Sequence, residues 1–496
     1  MSSNLIKRYF LMALFDSTNN LFFFNVTIFT ISFFLITSLC FSVRFSTNFD
    51  FAFPTLLKVS NGISFFFIFT IFLLFCFDFI FNNNFYFFSQ NFQLLFFSVF
   101  ILILGISYDF QIARNITKFE LDFLLVCVIL SAICLCFTDD FLLFYIAVEF
   151  QSLTFYIIAT FNRKSEFSTE AGLKYFIFGA VISCFLLFGL FLIYLDFGLT
   201  SFESLFSLAL TQQDSFLFSG LLFFLVVLLF KIGAAPFHLW VSDVYDGSML
   251  NITMVFAAAP KIIMFSILVK LVFSSLFNFD FILKSLLLFA SLLSITIGTF
   301  SAIYQKRIKR LFAYSAISHT GFILLGIMSN SAESSKATIA YILIYSFLTL
   351  LLFSLLILVS ISTNNNPKYL ANWTSFGLNN YLFAISFTLI LFSIAGIPPL
   401  AGFFSKFFVL LSIVSNGYYL SAFYIIIISS IGCFYYIRLI KMFFFTKFSK
   451  NSFWLSNPTK KNTDLILATL MFLNIAFFIR PEFISHISTV VCFSII

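Results

Sequence analysis

Phe230-Lys231-Ile232-Gly233-Ala234-Ala235-Pro236 and Gly396-Ile397-Pro398-Pro399-Leu400-Ala401-Gly402-Phe403-Phe404-Ser405-Lys406 each interrupt an apolar run with glycine, proline and one lysine. Proline removes an amide donor and its ring clashes one turn back, so a helix opens there and frees carbonyls. Inside a bilayer, freed backbone needs protein or water as its partner. Two interruptions of one kind, each with a lysine, predict helices wrapped around buried charge.

The rest of the chain points to lipid as its solvent. Of 496 residues, 61% are hydrophobic and 9% are charged; soluble domains carry about 25% charged residues. The mean hydropathy is +1.08. Runs long enough to span a bilayer fall at 20–43, 59–82, 92–107, 121–138, 140–161, 171–195, 216–238, 250–274, 281–304, 308–329, 337–361, 380–413, 418–446 and 463–479. The fold class expected is an all-α membrane protein of about fourteen transmembrane helices, two of them broken by proline. The first 20 residues hold Lys7, Arg8 and Asp16 and do not read as a cleavable signal peptide.

Other composition signals exclude several functions. The net charge of +7 sits in a few loops, which argues against nucleic acid as a partner. Eight cysteines are scattered without a CxxC pair, and Cys134-Leu135-Cys136 is too tight for the usual metal spacing. They read as packing residues, so no metal, haem or iron–sulfur cluster is expected in this chain. The 85 phenylalanines exceed what packing demands. T-rich codon usage explains them more simply and suggests an AT-rich, organellar genome.

Basic residues sort the loops. Loops from odd to even spans hold Arg44, Arg114, Lys118, Arg163, Lys164, Lys306, Arg307, Lys309, Arg310, Lys368, Lys447, Lys450, Lys460 and Lys461. The opposite loops hold Asp139, Asp140, Asp196, Glu203, Asp214 and Glu333, with Lys336 as an exception. The positive-inside rule then puts both termini on the side away from the cytosol or matrix, although Lys7 and Arg8 vote against it. The run Gln305-Lys306-Arg307-Ile308-Lys309-Arg310 is read as a loop that orients the chain. The two interrupted spans, seven and twelve, lie five apart. That odd offset predicts two copies of opposite orientation. The organisation expected is 1–120 for helices 1–3, 121–275 for a first inverted five-helix repeat, 276–447 for a second, and 448–496 for a loop and helix 14.

Ionisable residues inside these spans are the candidates for function. Glu149 is central in span five, where a charge costs roughly 2.5–3.5 kcal/mol; it is either functional or half of a structural ion pair. Lys231 precedes the break at Gly233 and Pro236. Burial disfavours a lysine's charge while a nearby carboxylate favours it, so a Glu–Lys pair of variable separation acts as a protonation switch. His238 suits a proton relay, or caps freed carbonyls. Lys261 follows Pro260, and Lys406 follows Pro398, Pro399 and Gly402; these prolines and this glycine, with Gly233 and Pro236, are the expected helix breaks. Lys174 sits early in span six, where snorkelling to the interface competes with a pathway role. His319 in span ten is a relay or a helix-packing histidine.

At these residues the chain resembles the antiporter-like membrane subunits of proton-pumping NADH:ubiquinone oxidoreductase, respiratory complex I. The resemblance rests on EAGLKYFIFGA (Glu170–Ala180), FKIGAAPFHLWVSDVYDG (Phe230–Gly247), APKI (Ala259–Ile262), KRLFAYSAISHTG (Lys309–Gly321) and AGIPPLAGFFSKF (Ala395–Phe407). Asp243 to Gly247 and Lys406 are similar to the chain 2 branch of that family. It departs at Ser242, where proline is usual, and at Ser248-Met249-Leu250-Asn251, where a proline-rich stretch is usual, leaving the loop between spans seven and eight uncertain in shape.

The resemblance implies a fourteen-helix inverted-repeat fold in the mitochondrial inner membrane. It implies Glu149 and Lys231 as an interacting pair, Lys261 as a central connector and Lys406 in an exit half-channel, with Lys174, His238 and His319 as relays. It implies sister antiporter-like chains and other membrane-arm subunits as partners, phospholipid contacts, and flavin, iron–sulfur clusters and the quinone site in other subunits. A subunit of a multisubunit cation/proton antiporter is the alternative; a purely structural membrane spacer is a third.

Overall fold

The computed structural model describes residues 87–114, 116, 120–198, 200–202, 215–275, 280–363, 368–374, 376–379, 381–445 and 461–493. The expected spans 20–43 and 59–82 therefore lie outside the described residues. Among those described, the chain is helical, with two isolated β-bridges, Asp140 with Ser201 and Arg307 with Tyr369.

The helices are α1 (Phe87–Ala113), α2 (Glu120–Cys136), α3 (Phe141–Ala159), α4 (Glu166–Phe197), α5 (Ser215–Ile232), α6 (Leu239–Gly247), α7 (Leu250–Lys270) and α8 (Asp280–Tyr304). They continue as α9 (Ile308–Met328), α10 (Ala332–Thr363), α11 (Tyr381–Ala395), α12 (Ala401–Ser415), α13 (Tyr419–Phe444), α14 (Lys461–Ile479) and α15 (Glu482–Phe493). A π-helical turn extends α7 over Leu271–Ser275, and short helical turns cover Leu370–Trp373 and Phe376–Asn379. Eight of the described helices are long and apolar enough to cross a membrane.

Burial separates inner from outer helices. Every residue of α7 from Leu250 to Val269 is buried, and α10 packs against α7, α9, α12 and α15. In contrast, α4 exposes Leu173, Phe176, Ile177, Val181 and Phe188, and α13 exposes Leu420 at 88%. Apolar side chains on an outer face and polar ones inside are the arrangement lipid demands.

Both interruptions close in one way. At the end of α5, the Gly233 amide donates to Leu229 and Phe230 carbonyls, and the Ala234 amide to Leu229. At the end of α11, the Gly396 amide donates to Phe392 and Ser393, and the Ile397 amide to Phe392. Gly233 and Gly396 have φ of 80° and 85°, the left-handed C-cap conformation that glycine takes without a side-chain penalty. A cis proline follows each, at Ala235-Pro236 and Pro398-Pro399. The lysines are placed differently. Lys231 lies in the helix before its break, whereas Lys406 lies in α12, after its break.

Pro260 is a correction. It was expected to break its span, yet it sits inside the continuous α7. Its missing amide leaves the Phe256 carbonyl without a donor, and the Tyr245 hydroxyl supplies one at 3.1 Å. Replacing Tyr245 with Phe strands that carbonyl in a buried site, a cost of roughly 1–3 kcal/mol. The expected result is a lower midpoint for thermal unfolding of the chain in detergent; an unchanged midpoint would show that α7 tolerates the orphan. A second difference is α15, which carries no long apolar run and was not expected.

Among the described residues, basic side chains from four of the loops gather at one end, whereas Arg44, Lys118, Lys447, Lys450 and Lys460 lie outside the described residues. Arg114, Lys164, Arg307, Lys309 and Lys368 line a single pocket there. Lys270, at the far end of α7, instead pairs with Asp139 at 2.6 Å. Ile308 starts α9, so Lys309 and Arg310 belong to its first turn rather than to a loop.

Candidate functional site

Lys261 is 4% exposed in the middle of α7. Its ammonium donates to the Tyr345 hydroxyl of α10 at 3.0 Å. No carboxylate lies within 4.0 Å of it among the described residues. Tyr345 stacks obliquely on His319, with ring centres 5.4 Å apart. The His319 Nδ1 lies 2.8 Å from the Tyr341 hydroxyl. Tyr341 stacks on Phe322, and the Lys406 ammonium sits 5.4 Å over the Phe322 ring. Lys261, His319 and Lys406 thus belong to one contiguous set of contacts, joined by two tyrosines that a sequence reading had no reason to select.

A cavity of about 30 Å³ adjoins this set, lined in part by Ser315, His319, Tyr341, Tyr345, Ser393 and Ser405. A water needs about 10–15 Å³ and two to four polar partners, so the cavity has room and donors for one or two. His319 and the serines of α11 and α12 are the polar groups such a water would meet there.

The Lys406 ammonium donates to the Ala395 carbonyl at 2.6 Å, in the last turn of α11. The half-helix ends there, so this carbonyl has no amide partner in the next turn. Gly396 leaves the room: a side-chain carbon there would lie 2.8 Å from Lys406 Cδ. At the other break, the Trp240 indole donates to the Phe230 carbonyl at 2.9 Å, and Trp240 stacks on Tyr175 of α4.

The first half holds its charges further apart. Glu149 Oε2 accepts from Ser152 at 3.3 Å, while its buried Oε1 has no hydrogen-bond partner. Lys231 is 8% exposed. The expected pair is not in contact: no Glu149–Lys231 ion pair falls within 4.0 Å. His238 is buried at the start of α6 with Nδ1 unpartnered.

Lys174 stands apart from the buried row. It is paired with Glu170 at 2.6 Å and with Asp243 at 3.1 Å, its side chain 41% exposed. Asp243 also meets Arg310 at 3.4 Å, and Asp246 of α6 meets Arg307 at 2.5 Å. Asp246 holds the Arg307 guanidinium above its ordinary range by accepting its hydrogen bond. The second half of the broken span is therefore tied to the start of α9 through two aspartates that sequence reading passed over. They sit at an interface, where only the fold reveals their basic partners.

Three comparisons bear on this arrangement. The family model for the transmembrane region of NADH:quinone oxidoreductase/Mrp antiporter subunits matches residues 138–433, a stretch that contains Glu149, Lys231, Lys261, His319 and Lys406. NADH-ubiquinone oxidoreductase chain 2 of Marchantia polymorpha is 40% identical over 351 residues, 69% of this chain and 70% of that protein. A chain of respiratory complex I from Thermus thermophilus, solved with bound aureothin, has the same fold with a TM-score of 0.76 at 23% identity, covering 93% of this chain and 98% of that one. A chain of the Mrp complex from Dietzia sp. DQ12-45-1b matches with a TM-score of 0.80 at 16% identity, covering 94% and 96%. Fold alone does not choose between the two kinds of complex, whereas sequence likeness lies with chain 2. The chain belongs to the NADH:quinone oxidoreductase/Mrp antiporter transmembrane family.

Proposed function

We propose that the chain is a proton-translocating membrane-arm subunit of an NADH:ubiquinone oxidoreductase. Protons move along Glu149, Lys231, Lys261, His319 and Lys406, with His238 at the first break and Lys174 at the helix ends. The observation that carries this is Lys261. It is a buried lysine with no carboxylate within 4.0 Å among the described residues, hydrogen-bonded to a tyrosine that touches a histidine beside a water-sized cavity. A buried ionisable group with a polar relay next to it suits proton exchange, because its charged form gains little from its surroundings.

The chain does no redox chemistry of its own in this account. NADH, flavin, iron–sulfur clusters and quinone belong to partner subunits, and quinone reduction there drives the change in lysine protonation here. The setting is the mitochondrial inner membrane, with fourteen spans, inverted halves at 121–275 and 276–447, and both termini on the intermembrane-space side. The matching closure of the two breaks supports the inverted halves.

Glu149→Gln tests the reading. It keeps the shape of the side chain and removes its charge. Proton pumping by the assembled complex is expected to fall severalfold, read as acidification of sealed vesicles during NADH oxidation, with complex levels on a native gel unchanged. Normal pumping removes Glu149 from the path. A multisubunit cation/proton antiporter is favoured as a second reading by the likeness of fold to an Mrp-complex chain. Co-isolation with flavin- and cluster-bearing subunits separates the two: their presence supports the first reading and their absence the second.

A further inference from the structure

At the end where the basic loops gather, a cavity of about 550 Å³ opens among the α3–α4, α6–α7 and α9 starts and the segment before α11. That volume lies within the roughly 300–1,000 Å³ typical of ligand pockets. Its lining holds five cations, Arg114, Lys164, Arg307, Lys309 and Lys368, against one carboxylate, Asp246. Three of the cations are partly committed. Arg307 pairs with Asp246, Lys309 donates to the Ser248 carbonyl at 2.5 Å, and Arg114 donates to the Ser360 carbonyl at 2.8 Å. The Lys164 and Lys368 ammonium groups make no hydrogen bond or ion pair among the described residues. The Lys368 ammonium itself lies 5.2 Å from the centre of the Phe167 ring, a cation–π contact at the pocket wall.

Backbone adds to the same field. The starts of α4, α7 and α9 supply Ser165, Met249, Leu250 and Arg307 to the lining. The N-caps of α7 and α9, Met249 and Arg307, make no side-chain capping bond. The Ile308 amide of α9 donates to the Lys368 carbonyl at 3.0 Å and the Ile252 amide of α7 to Asn251 Oδ1 at 2.9 Å, so these helix starts offer the pocket mainly their partial positive charge. Five cations against one carboxylate, beside helix starts of partial positive charge, favour an anion here, and a phosphate has enough oxygens to meet several of these donors at once.

We propose that this pocket binds a phosphate group, carried either by an anionic phospholipid headgroup or by a soluble phosphate. The test uses the intact complex that contains the chain, compared with Lys164→Gln/Lys368→Gln and Lys164→Arg/Lys368→Arg variants. Neither lysine belongs to the proposed proton row, so pumping should stay normal in both variants. Radiolabelled inorganic phosphate, measured by equilibrium dialysis, reads the soluble source. Native mass spectrometry after exchange into phosphatidylglycerol or phosphatidylcholine nanodiscs reads the lipid source.

The expected result is binding by one of the two probes, weakened about fivefold for each lysine removed, or about 25-fold for the glutamine pair, and retained by the arginine pair. Retention of phosphatidylglycerol but not phosphatidylcholine identifies a headgroup; dialysis binding alone identifies a soluble phosphate. Two results overturn the proposal. One is equal binding of both probes by wild type and the glutamine pair, or binding of neither. The other is loss of a partner subunit from the glutamine variant with phosphate binding unchanged, which assigns the pocket to an acidic protein segment.

Discussion

Replacing Lys261 with methionine is expected to lower NADH-driven proton pumping by about two orders of magnitude, the low end of what a positioned proton-transfer group contributes. Methionine has nearly the same length and an apolar end, so packing in the buried middle of α7 is kept while the titratable group is lost. The effect should be large because Lys261 stands at a junction. Among the described residues its ammonium hydrogen-bonds only to Tyr345, which touches His319, and Lys406 joins the set only beyond His319, through Tyr341 and Phe322. The check is vesicle acidification per assembled complex, with the amount of complex read from a native gel. Pumping at the wild-type rate would make Lys261 a packing residue whose ammonium merely satisfies Tyr345.

Gly402→Ala is expected to lower the amount of assembled complex several-fold. A side-chain carbon at 402 would collide with the carbonyl oxygen of Ser393, which is backbone and cannot rotate away. The two halves of the interrupted span, α11 and α12, would have to separate. Overpacking costs roughly 1–3 kcal/mol where side chains can yield, and this site belongs at the upper end of that range. Separation would also move Lys406 from the Ala395 carbonyl and open the cavity that Gly402, Ser393 and Ser405 line. Wild-type levels of complex with normal pumping would show that the halves tolerate a gap.

These two predictions draw on different amounts of sequence information. Gly402, Pro398 and Pro399 were legible because a polar break inside an apolar run has few stable solutions in lipid. Lys231, Lys261 and Lys406 were legible because charge inside a span is costly. Pro260 was misread as a break, since the donor that rescues Phe256 comes from Tyr245, eleven residues away and on another helix. Tyr341 and Tyr345 were not selected because a tyrosine in an apolar span looks like packing until its hydroxyl is seen to meet Lys261 or His319. Asp243 and Asp246 were passed over because their partners, Arg310 and Arg307, lie far along the chain. Lys174 illustrates the opposite: its sequence setting suggested depth or snorkelling, and the fold gives it two carboxylates at a half-exposed helix start. The helix α15 escaped notice because its 12 residues form no long apolar run.

Separation of Glu149 and Lys231 sharpens the account of the first half. Held apart, with Glu149 Oε1 unpartnered among the described residues, the pair fits one state of the proposed switch, whose other state would be contact. A subunit that pumps must be able to change that separation; a static spacer need not.

The number of protons moved per NADH oxidised, measured in sealed vesicles with the Lys231→Met complex beside wild type, tests the central claim most directly. The account predicts a lower ratio in the variant, because electron transfer belongs to other subunits while the proton path here is cut. An unchanged ratio at normal complex levels would contradict it and leave the buried row as structure alone.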